Sequence, residues 1–312
     1  MSTTSISFLG TALLTAMLAA QDAHHAPPKL LAGFDVHAGT LQSLAIQRDD
    51  AGNYLIPVRL GQKPRTMALR PHDIRSPNFR LLVRDAAGIH TAPTPECITY
   101  RGHLVEEPQV RVAASIVDGS IDAIIHRPTG PNAPLGDNWV VQPANRVQPN
   151  AGPALHVVYR AADTVPLPYH CGNGTPAISS APPSPTGTDN TRYCEIAIEA
   201  DTEFYQQNGS SVTQTQNDIT TVMNQVDFIY DRDVDVQFQV VSILVTTVGV
   251  YTTNNPGNLL SQFRNNWLNT HANIARDVTH LFTGRNLSGS VIGIAYLSGV
   301  CTADGYGLSQ SR

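Results

Sequence analysis

Apolar residues between positions 30 and 170 recur in short runs that alternate with polar ones and stop at turn formers. The segments 54–60 (YLIPVRL), 79–83 (FRLLV), 110–116 (VRVAASI) and 121–125 (IDAII) suit strands, where a period near two puts alternate side chains on one face. Asp118-Gly119 separates the last two and predicts a tight hairpin, since that pair tolerates positive φ. Prolines at 128, 131, 134, 143, 149 and 153 argue against long helices, because each removes a backbone N–H and fixes φ. This stretch reads as a mostly β domain with irregular loops.

After residue 190 the period changes. Segment 194–200 (CEIAIEA) puts Ile196, Ile198 and Ala200 on one face of a strand. Over 212–230, Ile219, Val222, Met223, Val226 and Ile229 repeat near 3.6, which predicts a helix, with Ser210 or Ser211 placed to cap its first turn. Segment 234–247 predicts a long strand. Leu259, Leu260, Phe263 and Trp267 predict a second amphipathic helix after Asn255-Pro256-Gly257, and 277–283 and 290–298 two more strands. Alternation in this order predicts an α/β fold, a mixed and mostly parallel sheet with crossover helices, preceded by the mostly β domain. Between the two, 175–191 (TPAISSAPPSPTGTDNT) offers almost nothing to bury and predicts an exposed linker.

At the other end, 8–20 (FLGTALLTAMLAA) is an apolar run too short to cross a bilayer and about the length of a signal-peptide core, so 1–20 predict an export signal. No other run approaches the ~20 residues of a membrane helix, so the expectation is a secreted, extracellular chain without a membrane span. Length 312 suggests two domains. A net charge of −5 excludes an electrostatic nucleic-acid binder, which needs a basic face. Cys97, Cys171, Cys194 and Cys301 contain no C-x-x-C, so neither a zinc knuckle nor a thioredoxin-like site is indicated, and for an exported chain disulfides are the default. Cys171, in the run YHCGN just before the linker, is the one exception to that default.

The succession 193–201 (YCEIAIEAD), the helix ending Ile229-Tyr230, 277–284 (DVTHLFTG) and 293–301 (GIAYLSGVC) resembles the N-terminal part of the catalytic domain of adamalysin/reprolysin-like zinc metallopeptidases. These are metzincins, the group that includes the ADAM proteases. Upstream, 97–103 (CITYRGH) followed by 110–125 is similar to their pro-domains. The resemblance implies a secreted zinc metalloendopeptidase zymogen acting on peptide or protein substrates: signal peptide 1–20, pro-domain 21–174 as intramolecular inhibitor, linker 175–191, and the first part of the catalytic domain over 192–312. The family motif H-E-x-x-H-x-x-G-x-x-H, two histidines one helical turn apart with a glutamate that polarises the zinc-bound water, is absent from the sequence. The chain is therefore read as a precursor truncated before that motif and inactive as it stands, with no catalytic residue of its own. The alternative is a non-catalytic extracellular binding or protease-inhibitory protein of the same ancestry. An unrelated β-rich adhesion module would require the downstream periodicities to be accidental.

The resemblance also assigns roles. Cys171, followed by Gly172, matches a cysteine switch, in which a thiolate takes the fourth zinc position and excludes water; no other zinc ligand is expected in this chain. The alternative for Cys171 is an ordinary disulfide. Segment 290–298 matches the edge strand that pairs with extended substrate, with Gly293 and Ala295 keeping one face low and Ile294 and Tyr296 on the other. Glu195 and Asp277 match positions that contribute to a surface calcium site in some members, though two carboxylates are few for that cation and solvated strand-end charges are the plainer reading. Cys301 matches a cysteine whose family partner lies further along. His271 and His280 read as structural. Asn208 and Asn286 begin glycosylation sequons, and Arg192 is the one basic residue near the linker, too little for a dibasic processing site. With a later strand and helix missing, an uncovered sheet face would cost on the order of 10 kcal/mol, so the region after 191 is expected to fold poorly.

Overall fold

A computed structural model describes residues 23–128, 138–173 and 192–311. The predicted signal peptide and the linker 175–191 lie outside the described residues. The chain divides into two compact units: residues up to Asp73 with Cys97–Pro166, and Ile74–Glu96 with those from Leu167 onward.

The first unit is a nine-stranded sheet among the described residues. Its order is His24–His25, Thr40–Ser43, Leu155–Arg160, Trp139–Pro143, Ser120–His126, Glu107–Val117, Thr99–Leu104, Lys63–Pro71, Tyr54–Leu60, every neighbour antiparallel. Val110, Val112, Ala114 and Ile116 alternate into its core beside Ile56, Met67 and Ile121. The predicted hairpin is present, with Asp118 at φ 49° and Gly119 at φ 76°. Gly102 lies so close to its neighbour strand that a Cβ there would fall 1.8 Å from the Ala68 carbonyl oxygen. Within the strand Leu155–Arg160 of this sheet His156 is fully buried. Its Nε2 accepts from the Ile121 N–H at 3.0 Å, and its Nδ1 lies 2.7 Å from the Ala154 carbonyl, so the ring is held neutral with its proton on Nδ1.

The second unit holds the strands β1 (Arg75–Asp85), β2 (Gly88–Ala92), β3 (His170–Cys171), β4 (Arg192–Ala200), β5 (Val236–Thr246), β6 (Val278–Thr283), β7 (Val291–Ala295) and β8 (Tyr306–Gln310). Its helices are α1 (Thr202–Gln207), α2 (Val212–Val234) and α3 (Pro256–Thr270). The sheet order is β3-β7-β8-β6-β4-β5-β1-β2. Strands β8, β6, β4, β5 and β1 run parallel; β7 is antiparallel to β8, β2 to β1, and β3 runs parallel to β7. Alternation sorts the side chains cleanly. Ile196, Ile198, Ile243 and Val245 pack with Phe204 of α1 and Ile219 and Met223 of α2. Ala197, Leu244, Leu281 and Leu308 pack with Leu259, Phe263 and Trp267 of α3. Ser211 caps α2 by accepting from the Gln214 N–H, and Asn255 caps α3 by accepting from that of Asn258, with Pro256 in the first turn where its missing N–H costs nothing.

Three expectations are corrected. Segment 79–83 is part of β1 and belongs to this second sheet, not to the upstream β domain, because its pairing partner is β5. The linker 175–191 consequently does not divide the two units, since 74–96 and 167–173 join the downstream residues. The region after 191 is not left with a bare sheet: β8, unforeseen, fits between β6 and β7, and buried clusters cover both faces. Among the described residues no helix is long and apolar enough to cross a membrane.

Burial lowers the His156 pKa from 6.5 to about 4. An imidazole depressed in the folded state stabilises the fold fully above its unfolded value, and that contribution is lost as pH falls through the folded one. We expect the first unit to lose on the order of 3 kcal/mol from this ring between pH 6.5 and 4. In an NMR titration the His156 ring of the folded protein should stay neutral at pH 5.5; a midpoint near 6.5 would remove the effect.

Candidate functional site

The residues singled out by sequence fall in two places in the second unit. The first is the rim of the sheet at β7. Among the described residues only the two-residue β3 lies outside it, paired in register His170↔Val291 and Cys171↔Gly293 with an irregularity between them. The His170 N–H donates to the Ser290 carbonyl at 3.0 Å and the Gly172 N–H to the Gly293 carbonyl at 2.7 Å. Beyond that point the backbone ladder is continued by a side chain. Asn173 Nδ2 donates to the Ala295 carbonyl at 2.5 Å, and the Ala295 N–H donates to Asn173 Oδ1 at 2.9 Å. One carboxamide thus presents the donor and acceptor of a peptide group. The same Oδ1 accepts from the exposed Cys171 thiol at 3.3 Å, which fixes thiol and carboxamide together.

Gly172 sits close against β7: a Cβ there would lie 3.0 Å from Val291 Cγ1 and 3.2 Å from Ile294 Cδ1, so those side chains would have to shift by a few tenths of an ångström. Of the four predicted edge residues, Gly293, Ile294 and Ala295 lie in β7. Tyr296 follows it, its N–H donating to the Tyr306 carbonyl at 3.1 Å, and Ile294 and Tyr296 pack on the α3 cluster. Asn173 was not foreseen. The usable signal was its position two residues after Cys171, which in an extended segment returns a side chain to the same side.

The second place is the start of β4 and β6. Asp277 Oδ2 accepts from the Glu195 N–H at 2.8 Å, and Asp277 Oδ1 from the Cys301 thiol at 3.2 Å. The Asp277 N–H donates to the Glu195 carbonyl, and the Cys301 N–H to that of Asp277, so the turn before β8 is tied to the sheet. Glu195 also lines a groove with Asn78, Arg80 and Gln239. All four cysteines are free thiols, contrary to the disulfide default. The Cys194 thiol is pushed up to about 11, by burial first and then by the negative charge of Asp277. The Cys301 thiol is raised by its hydrogen bond to Asp277.

The two structural histidines are placed as such. His280 packs on Phe282, with ring centroids 5.3 Å apart, and its Nε2 lies 3.1 Å from Ser309 Oγ; burial lowers it to about 4. His271 is buried at the end of α3 and also lowered to about 4, by burial and then by Arg84 and Arg276. A zinc site needs three or four His, Cys or carboxylate side chains around one point, and among the described residues no three gather. These residues do not fit zinc by themselves, and no step of metal chemistry is assigned to them.

Against known proteins, a reprolysin-type model described as metallo-peptidase family M12 matches residues 190–312. Disintegrin and metalloproteinase domain-containing protein 11 of Mus musculus is 25% identical over 250 residues, 70% of this chain and 30% of that protein. The Homo sapiens protein of the same name is 25% identical over 251 residues with the same coverage. The chain spans about 30% of the length of these curated relatives. A crystal structure of metalloproteinase-II from Bacteroides fragilis aligns with 12% identity and a TM-score of 0.39, over 83% of this chain and 75% of that one, too loose a likeness to argue from.

The thiol environments predict an order of alkylation at mildly alkaline pH. Cys171, exposed on the rim, should react first and Cys194 last, as read by peptide mapping after timed quenching; equal rates at the two would show that the Cys194 burial is not maintained in solution. Residues 190–312 are thus similar to the metallo-peptidase family M12, and the weaker likeness to the two disintegrin and metalloproteinase proteins extends over 70% of the chain.

Proposed function

We propose that the chain is the leading part of a secreted zinc metalloendopeptidase zymogen, with its export signal in 1–20, an inhibitory pro-region over 21–174 and the first sheet of the catalytic domain from 192 onward. One observation carries this reading: the upstream segment His170–Cys171 lies on β7, the strand expected to receive substrate. An extended peptide binds such an edge through the backbone N–H and C=O groups left unpaired there. In this chain the Gly293 carbonyl is already engaged by Gly172, and the N–H and carbonyl of Ala295 by Asn173, so substrate and pro-region compete for the same groups. Cys171, held by Asn173 at this rim, is the residue we assign as the cysteine switch, the thiol that would cap the metal in a complete protein. The substrate is then a peptide or protein segment able to lie extended along β7.

The H-E-x-x-H helix of the family is expected to be encoded beyond Arg312, and the chain by itself is expected to cleave no peptide. Reading the transcript past that codon tests the proposal: an open frame carrying H-E-x-x-H is expected. A stop codon there refutes the peptidase and leaves the non-catalytic, binding or inhibitory protein. On the chain itself, Asn173→Ala should speed hydrogen exchange at Gly293 and Ala295 on the order of tenfold by freeing the rim, and unchanged exchange would show that β3 does not guard it.

A further inference from the structure

On the opposite rim of the same sheet, β1 pairs with β5 in parallel, Leu81↔Ile243 through Arg84↔Thr246. The Arg84 carbonyl accepts from both the N–H and the hydroxyl of Thr247, at 2.9 and 3.1 Å. From there the Arg84 side chain runs inward, to a head that is 11% exposed beside a Glu199 side chain that is 0% exposed. Arg84 Nη1 lies 3.5 Å from Glu199 Oε1, and Arg84 Nη2 donates to His271 Nε2 at 2.6 Å. Thr246 Oγ1 donates to Glu199 Oε1 at 3.0 Å, and Trp267 Nε1 donates to Oε2. Arg276 lies over the Trp267 ring at 4.8 Å and donates to the His271 and Ile274 carbonyls. Among the described residues Arg84 is the one cation in an ion pair with Glu199, and it comes from 115 residues upstream.

We propose that the outer edge of β5, with Glu199 behind it, is a strand-receiving site keyed to arginine, and that its occupant is the upstream hairpin β1–β2, which stays bound after the chain is cut between the two halves. A backbone ladder alone would accept many extended segments. The buried carboxylate makes the site selective, because any strand that fills the edge without a cation at the Arg84 position strands a charge away from water. Pairing at this edge shares no residue with the Cys171 rim, and the inference does not rest on the peptidase reading.

The test uses the full chain with the recognition sequence of a site-specific protease placed within 175–191, cut after purification and run on a sizing column at micromolar concentration. The two fragments of the otherwise unaltered chain should co-elute, and those of Asn173→Ala as well, since that change touches the other rim. Arg84→Met should raise the dissociation constant on the order of 100-fold. The double variant Arg84→Met/Glu199→Gln should bring it most of the way back, because glutamine leaves no charge unpaired. Separation of the unaltered or Asn173→Ala fragments, an unchanged constant for Arg84→Met, or a double variant no better than the single one overturns the proposal. Should Arg84→Met fail to fold, Arg84→Lys takes its place before cutting. There, faster hydrogen exchange at 243–246 is expected, and unchanged exchange overturns the proposal equally.

Discussion

An open sheet must find partners for the N–H and C=O groups along its outermost strands, and the second unit is arranged around that requirement. Its central strands are supplied by the sequence after 190, while both rims are finished by chain from before it: β1 and β2 beyond β5, β3 beyond β7. The finishing pieces end the sheet in two ways. Among the described residues β3 is two residues long and hands its last pairing to the Asn173 side chain. β2 is longer but exposed almost throughout, and carries Gly88, His90 and Thr91 where an apolar edge would invite a second sheet.

β4, in the middle, shows what the arrangement asks of buried charge. Glu199 and Asp201 are both buried, and burial is the first cause raising each carboxyl above its ordinary value. Asp201 is satisfied by residues downstream of it: Oδ1 accepts from the N–H groups of Phe204 at 2.8 Å and Gly284 at 3.0 Å, and Oδ2 from the Thr283 hydroxyl. It thereby starts α1 and ties the ends of β4 and β6 together. Glu199 has neutral donors from the downstream part but takes its paired cation from β1. Two carboxylates two residues apart are therefore unequal. One is completed within residues 192–311, and the other only when the upstream hairpin is in place.

Periodicity made most of the downstream elements legible, because β4, α2, β5, α3, β6 and β7 each keep one pattern along their length and the cap residues Ser211 and Asn255 mark where helices begin. Two features escaped it for physical reasons. Glu195, Ala197 and Glu199 read as the polar side of a half-exposed strand, yet α3 covers that side, so a pattern that normally signals solvent here marks a buried ion pair. β8 is five residues long, too brief a run to display a period, even though Asp304-Gly305 marks the turn just before it. At the rim, Cys171 and 293–296 were legible as types, but their meeting was not, since nothing local encodes which strand a two-residue segment will join.

Pairing across long separations also explains why compact units and sequence segments fail to coincide. In the first unit most neighbouring strands are close in sequence, and Lys63–Pro71 pairs directly with Thr99–Leu104. The His72 N–H donates to the Thr99 carbonyl at 2.9 Å and the Thr99 hydroxyl to the His72 carbonyl at 2.5 Å, closing the base of an excursion that contains β1 and β2. That sheet can form from residues already made during synthesis. β1 meets β5 only across 163 residues, as in the Arg84–Thr247 contact, so its hairpin must wait extended or loosely paired until β5 exists. The apolar face of β1 that waits, Leu81 and Val83 on one side and Leu82 on the other, is bounded by Arg80 and Arg84. Charges at those positions oppose premature strand association, and one of them afterwards becomes the counter-ion that Glu199 requires. A single arginine thus serves the unpaired hairpin as a guard and the finished sheet as a key.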